Sequence, residues 1–532
     1  MLLAAALAAF GASLGSGFHF DDYAIFSDPA LTSPGGWLHI WGPRQTRPLT
    51  YFTYWLNYRV GGTDALGYHV LNLVLHLAAV WLAYECLRRM VPARVAWMAA
   101  AIFAIHPLQA ESVDYVWGRS MVLATALCFA SLLAWITGRP WISVACFAAA
   151  LLAKEECAAF PLALMWLMRS RSPNVDVAHA LMRAASGLFG TPGGEPRKPP
   201  VSAGHPDESG CGAHECARHE LRANHVRAGA WLPAGENSSW WPIAAMLLLS
   251  LAAGVRVIWA AAMTPGAQAG TRAGITPADY GLAQGVVILR YLRMLAIPWG
   301  FTIDPDIRIP PLWLGALAWT AILTLAVFAW RRRTQWGVWL IAGLVLLLPS
   351  SSVFPAADLA ADRRMYLPLL AFAVAAAALL DRVPGRILIC AALLGISLFR
   401  TQVWRSDEAL WREALAQAPE KVRPRIQLAR AVAPPEALRL LDEARRMAPN
   451  DPAIATEAGR TLLAAGNAAA ALSEFGRALA LDPHDADNYN NRGVALAALG
   501  QTDAARLDFE RALALSPGLT SAAENLRRMG GR

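Results

Sequence analysis

Two adjacent carboxylates, Asp21 and Asp22, follow the first apolar stretch of the chain, in Phe18-His19-Phe20-Asp21-Asp22-Tyr23. An acidic pair at the mouth of a membrane helix is costly unless it is used. A carboxylate there can take a proton from a hydroxyl or hold a divalent metal against a phosphate. Neighbours on an extended chain point opposite ways, so one of the pair faces the site and the other does structural work. Spacing leaves that choice open. Other ionisable groups stand at the edges of later apolar runs. They are His106, Glu111, Asp114 and Arg119; Lys154, Glu155 and Glu156; Arg290 and Arg293; Asp304 and Asp306; and Asp358, Asp362, Arg363 and Arg364. Cations in such a set suit a leaving phosphate, whose negative charge grows as its bond breaks. Arg119, Lys154, Arg290, Arg293, Arg363 and Arg364 are the candidates. Arg290 and Arg293 are three apart and share a helix face.

The elements that must position these groups are apolar helices. Of 532 residues, 56% are hydrophobic and 16% charged, against about 25% charged in a soluble protein. Long apolar runs make up the difference, which indicates a polytopic membrane protein. The net charge of +8 is no nucleic-acid signature, because the arginines gather at the ends of apolar runs. The N-terminus lacks a basic stretch, so 1–17 reads as a first span rather than a cleaved signal. Eleven spans are expected, near 2–17, 68–87, 91–105, 120–137, 140–153, 157–169, 241–262, 312–330, 336–349, 365–381 and 384–400. Arg88, Arg89 and Arg94, then Arg169 and Arg171, then Arg331 to Arg333, then Arg382 and Arg386 mark four connections as cytoplasmic. They share one side only if 281–298 does not cross, so that segment reads as an interfacial or re-entrant helix on the outer face. The carboxylates and cations listed above then meet at the outer face.

Outside the cytoplasmic membrane there is no nucleotide pool. An activated group must come from a lipid carrier, and sugar transfer from a polyprenyl phosphate fits the residues available. Attack opposite the leaving phosphate would invert the anomeric carbon. Either Asp21 or Asp22 would be the base, or would hold a divalent metal.

Two polar regions remain. The insertion 170–240 reads as a disordered cytoplasmic loop, rich in Pro, Gly, Ser and Arg. It carries His205, Cys211, His214, Cys216, His219 and His225, whose spacing matches no structural zinc pattern. Its sequon at Asn237 falls inside the cell in this topology. Beyond residue 400 the pattern changes. Pro449, Pro483 and Pro517 recur every 34 residues, as do Gly466 and Gly500, and Phe475 and Phe509. That period is the tetratricopeptide signature. Residues 420–449 read as a shortened unit interrupted by Pro434-Pro435, 406–418 as one more second helix, and 519–529 as a cap. Such stacks bind peptides or proteins in a groove, or act as packing modules.

Several segments, in order, resemble the transmembrane and tetratricopeptide-repeat O-mannosyltransferase family. They are Phe20-Asp21-Asp22 with Ala24-Ile25, Arg47-Pro48-Leu49-Thr50, and Tyr68-His69 with Asn72 and His76. They continue with His106-Pro107, Glu111-Ser112-Val113, Gly118-Arg119 and Lys154-Glu155. The last are Pro349-Ser350-Ser351-Ser352 with Phe354, and Asp362-Arg363 with Tyr366-Leu367-Pro368. The resemblance implies an all-α molecule, with a GT-C membrane bundle over 1–400 and a tetratricopeptide solenoid over 401–532 on the extracytoplasmic side. It assigns the catalytic acid motif to Asp21 or Asp22 and adds His106, Glu111, Glu155 and Tyr366 to the site. The family's eukaryotic members look like enzymes moving mannose from dolichyl phosphate to Ser or Thr of secretory proteins. The Ala- and Arg-rich composition looks bacterial, which implies an undecaprenyl carrier in the inner membrane. The acceptor is then a protein or an envelope glycan recruited by the repeats. Asp362-Arg363 departs from the family's frequent Glu-Arg. Competing readings are an envelope-glycan or lipid glycosyltransferase, and a membrane-anchored scaffold whose bundle merely holds the repeats. A transporter fits less well, because the charges sit at span edges rather than at the midplane.

Overall fold

A computed structural model describes residues 1–42, 45–170, 240–263, 274–332, 334–351, 355–356 and 358–530. The histidine- and cysteine-bearing insertion, Asn237 and the Ser352–Phe354 part of one family motif lie outside the described residues. The described chain is helical. Its helices of eight or more residues begin with α1 (Leu2–Phe10), α2 (Pro48–Gly61), α3 (Ala65–Met90), α4 (Ala93–Ile105), α5 (Arg119–Ile136), α6 (Pro140–Ala153) and α7 (Phe160–Arg169). Next come α8 (Trp241–Met263), α9 (Pro277–Ala296), α10 (Leu312–Arg332), α11 (Gln335–Leu347), α12 (Tyr366–Leu380) and α13 (Arg386–Val403). The repeat region holds α14 (Asp407–Gln417), α15 (Val422–Ala429), α16 (Pro434–Met447), α17 (Pro452–Ala464), α18 (Ala468–Leu481), α19 (Ala486–Ala498), α20 (Thr502–Leu515) and α21 (Thr520–Gly530).

Every apolar segment expected to span is helical, but their lengths differ. Six helices are long and apolar enough to cross a membrane, or seven if Leu2–Gly15 and Phe20–Ser27, bent by 59°, form one span. The α4, α6 and α11 helices are apolar but shorter. Thirteen or fourteen residues reach about 20 Å at 1.5 Å each, less than a ~30 Å hydrocarbon core. The α5 and α12 helices are the most buried of the long ones, whereas α8 is the least buried and leaves Leu248, Leu251, Val255 and Trp259 exposed.

The ends of these helices explain the charge pattern. Near its start, α3 meets the residues around Asp21: His69 Nε2 approaches the Gly17 carbonyl at 3.1 Å, and Asn72 donates to the Tyr115 carbonyl at 3.0 Å. Arg88 and Arg89 occupy its last turn, at the opposite end, where cations complement the helix dipole. The loops 16–23, 106–118, 154–159 and 358–365 gather at the first end. The α9 helix lies along them. Tyr280 donates to the Ser350 carbonyl, Gln284 to Leu359, and Tyr291 to Ala361, so α9 is tied at three points along its length to residues that precede α12. The sequence pattern indicates no element between 18 and 67. The structure builds α2 there, started by Pro48 at its first turn, where the missing N–H costs nothing.

The repeats stack as expected from their period. A Cβ added to Gly459 would sit 2.6 Å from the Phe475 ring, and one added to Gly493 would sit 2.7 Å from the Phe509 ring. The glycines therefore permit the close helix approach, and the aromatics plug it. Pro434 and Pro435 do not interrupt the shortened unit. They open α16, and Ala433 before them is extended, as a residue preceding proline prefers. The segments 406–418 and 519–529 correspond to α14 and α21.

Candidate active site at the bundle end

The two aspartates separate completely. Asp22 is fully buried, with Oδ2 accepting the His19 amide at 2.9 Å and Oδ1 the Trp117 amide at 2.7 Å. Burial pushes its carboxyl up to about 7, against the lowering effect of those hydrogen bonds. It closes a one-turn 3-10 helix over Phe20–Tyr23 in a capping-box arrangement. Asp21 is only half-buried. Its amide donates to the Tyr115 hydroxyl at 3.0 Å, and its carboxylate shares its surroundings with Arg363, Arg423 and Asp358. Burial raises its pKa, while Arg363, Tyr115 and Arg423 pull it back. Of the pair, Asp21 is the more accessible.

Its neighbours Arg363 and Asp358 line a cavity of about 470 Å³, of whose wall Asp21 itself is not a part. Its polar wall is Arg47, Lys154, Glu155, Glu156, Asp358, Arg363 and Arg364, and Gly254, Val257 and Ile258 of α8 form an apolar wall. The charges hold one another. Arg47 grips Glu155 with two hydrogen bonds, at 2.6 and 3.0 Å. Burial alone would raise the Glu155 carboxyl, but Arg47 and Lys154 outweigh it and hold it at about 2. Lys154 lies 3.5 Å from Glu156. Burial and the neighbouring Arg47 bring its ammonium down to about 8. Arg363 pairs with Glu111 at 2.5 Å, and its amide reaches the same carboxylate at 3.0 Å. Arg364 donates to the Leu359 and Asp358 carbonyls. The wall thus carries four cations and three carboxylates beside the apolar side of α8.

Of the expected cations, Lys154, Arg363 and Arg364 line this cavity, and three do not. Arg119 is wholly buried, its guanidinium committed to Asn72, Asn57, Thr53 and the Tyr68 carbonyl. It ties α2, α3 and α5 together, because five N–H donors taken out of water must all find acceptors. Arg290 pairs with Asp362 at 2.5 Å and also donates to the Gly300 carbonyl. Arg293 donates to the Trp299 carbonyl at 3.2 Å. One face of α9 thus anchors the following loop.

Among the further expected residues, Glu155 lines the cavity and Glu111 reaches it through Arg363. His106 is buried, its Nδ1 accepting the Leu108 amide as the cap of a short turn. Tyr366 is buried with its hydroxyl 2.7 Å from His76 Nδ1. Both do packing work. Arg47, Glu156, Asp358 and Tyr280 complete the wall. Arg47 stands in a quoted family motif, and that was the available signal for it; Tyr280 carries none in the sequence.

The donor set does not fit a divalent metal at the aspartate pair. Both Asp22 oxygens already accept amide hydrogens, and Asp21 faces guanidinium groups. Among the described residues no three His, Cys, Asp or Glu side chains converge.

The tetratricopeptide repeat family model matches residues 486–519, which cover α19 and α20. Among curated proteins, a protein O-mannosyl-transferase of Caenorhabditis elegans is 32% identical over 144 residues, 24% of this chain and 21% of that protein. Tmtc1 of Drosophila melanogaster, also a protein O-mannosyl-transferase, is 38% identical over 120 residues, 20% of this chain and 14% of the relative. Human TMTC1 is 24% identical over 492 residues, covering 80% of this chain and 51% of the relative. The chain thus spans at most about half the length of these relatives.

Proposed function

From this kinship with protein O-mannosyl-transferases, we propose that the chain is a membrane glycosyltransferase, transferring a hexose such as mannose from a polyprenyl-phosphate donor to an acceptor hydroxyl. The acceptor is a Ser or Thr of a protein, and the active end and the repeats face the extracytoplasmic side. One observation carries the reading: Arg363 and Asp358, the charged neighbours of the half-buried Asp21 carboxylate, also line the cavity whose apolar wall is helix α8. A polyprenyl chain lies in the lipid against α8 while its phosphate sits among Arg47, Lys154, Arg363 and Arg364.

The Asp21 carboxylate takes the acceptor proton, and the acceptor oxygen attacks the anomeric carbon. The bond from that carbon to the phosphate oxygen breaks, and the polyprenyl phosphate leaves with the electron pair. Inversion follows from attack opposite the leaving group. The cations stabilise the charge gathering on the phosphate in a site partly closed to water. The arginine-marked helix ends, opposite the site, support an extracytoplasmic orientation. The bonds from α9 to Ser350, Leu359 and Ala361 support its interfacial role.

The test compares glycoproteins and envelope glycans from cells carrying the wild type or Asp21→Asn. Loss of a glycoprotein signal is expected. Loss of an envelope glycan alone would redirect the acceptor assignment, and no glycan change at all would overturn the enzyme reading.

A further inference from the structure

We propose that the first helices of the repeat domain belong to the catalytic apparatus, clamping the turn that carries Asp21 and fixing the Arg423 charge beside it. This rests on the reading of Asp21 as the base. Three contacts carry it, each pairing a residue within two or three positions of Asp21, or a loop facing Asp21, with α14 or α15.

The first is His19. It is buried, with Nδ1 2.6 Å from Asp407 Oδ1 at the start of α14 and Nε2 2.7 Å from the Trp404 carbonyl. Both partners accept, an arrangement that favours the doubly protonated ring. The second is Phe20. Its φ is +40°, which a bulky residue adopts only under outside constraint. Its half-buried ring packs against the repeat core, edge-on to Trp411 at 5.6 Å and beside the cluster that includes Ala414 and Ile426. The strained residue directly before Asp21 is therefore held from the repeat side.

The third is Arg423 of α15. It donates to Asp358 at 2.9 Å and lies 3.5 Å from Asp304, while Lys421 donates to the buried Asp304 at 2.6 Å. Two carboxylates hold the Arg423 guanidinium, and one of them, Asp358, is also a charged neighbour of Asp21. The charged and titratable groups around Asp21 are Arg363 and Asp358 from one loop, Tyr115 from another, Asp22 beside it, and Arg423. Arg423 is the repeat domain's contribution. It is a positioning residue, acting through Asp21 rather than on the donor.

The full chain in lipid nanodiscs is assayed with undecaprenyl-phosphate mannose as donor and a Ser/Thr-rich peptide as acceptor. Removing the Arg423 cation raises the Asp21 pKa, so the acidic limb of the kcat profile moves to higher pH. Arg423→Gln is expected to show that movement and an approximately tenfold lower kcat at neutral pH, with donor KM within about threefold. Arg423→Lys restores the limb. A Gln variant with the wild-type limb overturns the assignment of Arg423. In parallel, hydrogen exchange of the Phe20–Tyr23 amides is followed in the wild type and in Asp407→Asn. Exchange faster by about tenfold is expected, and unchanged exchange overturns the clamp. If the wild type transfers nothing, the functional reading has failed and the exchange arm still decides the clamp.

Discussion

At the residue scale, the acidic pair divides its labour by hydrogen bonding. Asp22 has no free oxygen, because the His19 and Trp117 amides occupy both. Asp21→Asn leaves that turn intact and is expected to cut transfer by about 10²–10⁴-fold at unchanged protein yield. Asp22→Asn sets an amide N–H against a backbone N–H and is expected to cost about 1–3 kcal/mol of stability. Thermal unfolding and yield of the two variants, measured beside activity, distinguish these outcomes; equal stability would deny Asp22 its structural role. The pH profile carries a second prediction. A lysine brought down to about 8 by burial beside Arg47 loses its charge just above neutrality. Donor turnover should therefore fall as pH rises through about 8, and Lys154→Arg should move that limb upward. A limb unmoved in the arginine variant would remove Lys154 from phosphate binding.

At the element scale, the joint between bundle and repeats is strengthened by protonation of His19. The buried His19 ring loses affinity for its proton through desolvation, but Asp407, Asp22 and the Trp404 carbonyl more than restore it. The pKa in the folded chain is above the unfolded value. The stabilisation is therefore fully present below about pH 6.5 and is lost as pH rises through the folded value. Protease sensitivity of the joint should rise on the alkaline side, and His19→Gln should flatten that dependence. Within the repeats, Gly493 and Gly459 leave no room for a side chain against Phe509 and Phe475. Gly493→Val is expected to cost about 1–3 kcal/mol, measured as a fall in the unfolding midpoint of the full chain. Gly518, which faces open space, should accept alanine without loss.

At the scale of the whole molecule, orientation is the testable quantity. Arg88 and Arg89 end α3 away from the site, and Arg331 and Arg332 end α10. If the positive ends face the cytoplasm, a cysteine introduced in α17 of an otherwise cysteine-free chain should react with a membrane-impermeant maleimide in intact spheroplasts. One introduced beside Arg169 should react only after lysis. The reverse pattern would put the site on the cytoplasmic face and remove the reason for a lipid-linked donor.

The sequence by itself determined the helices, the 34-residue repeat and the kinship, because apolar periodicity and short motifs are local properties of the chain. It also marked the acidic pair, Lys154, Arg363 and Arg364 as candidate site residues. It could not separate Asp21 from Asp22, since the amide that decides the matter belongs to Trp117, far along the chain. Arg119, His106 and Tyr366 look the same in sequence whether they meet substrate or tie helices together. Their roles depend on acceptors such as the Tyr68 carbonyl, which only packing brings within reach. The repeat period revealed a stack but not its seat on the Phe20–Asp21 turn. That seat depends on a single ring packed against the repeat core and one guanidinium shared by two distant loops, and only the tertiary structure decided both.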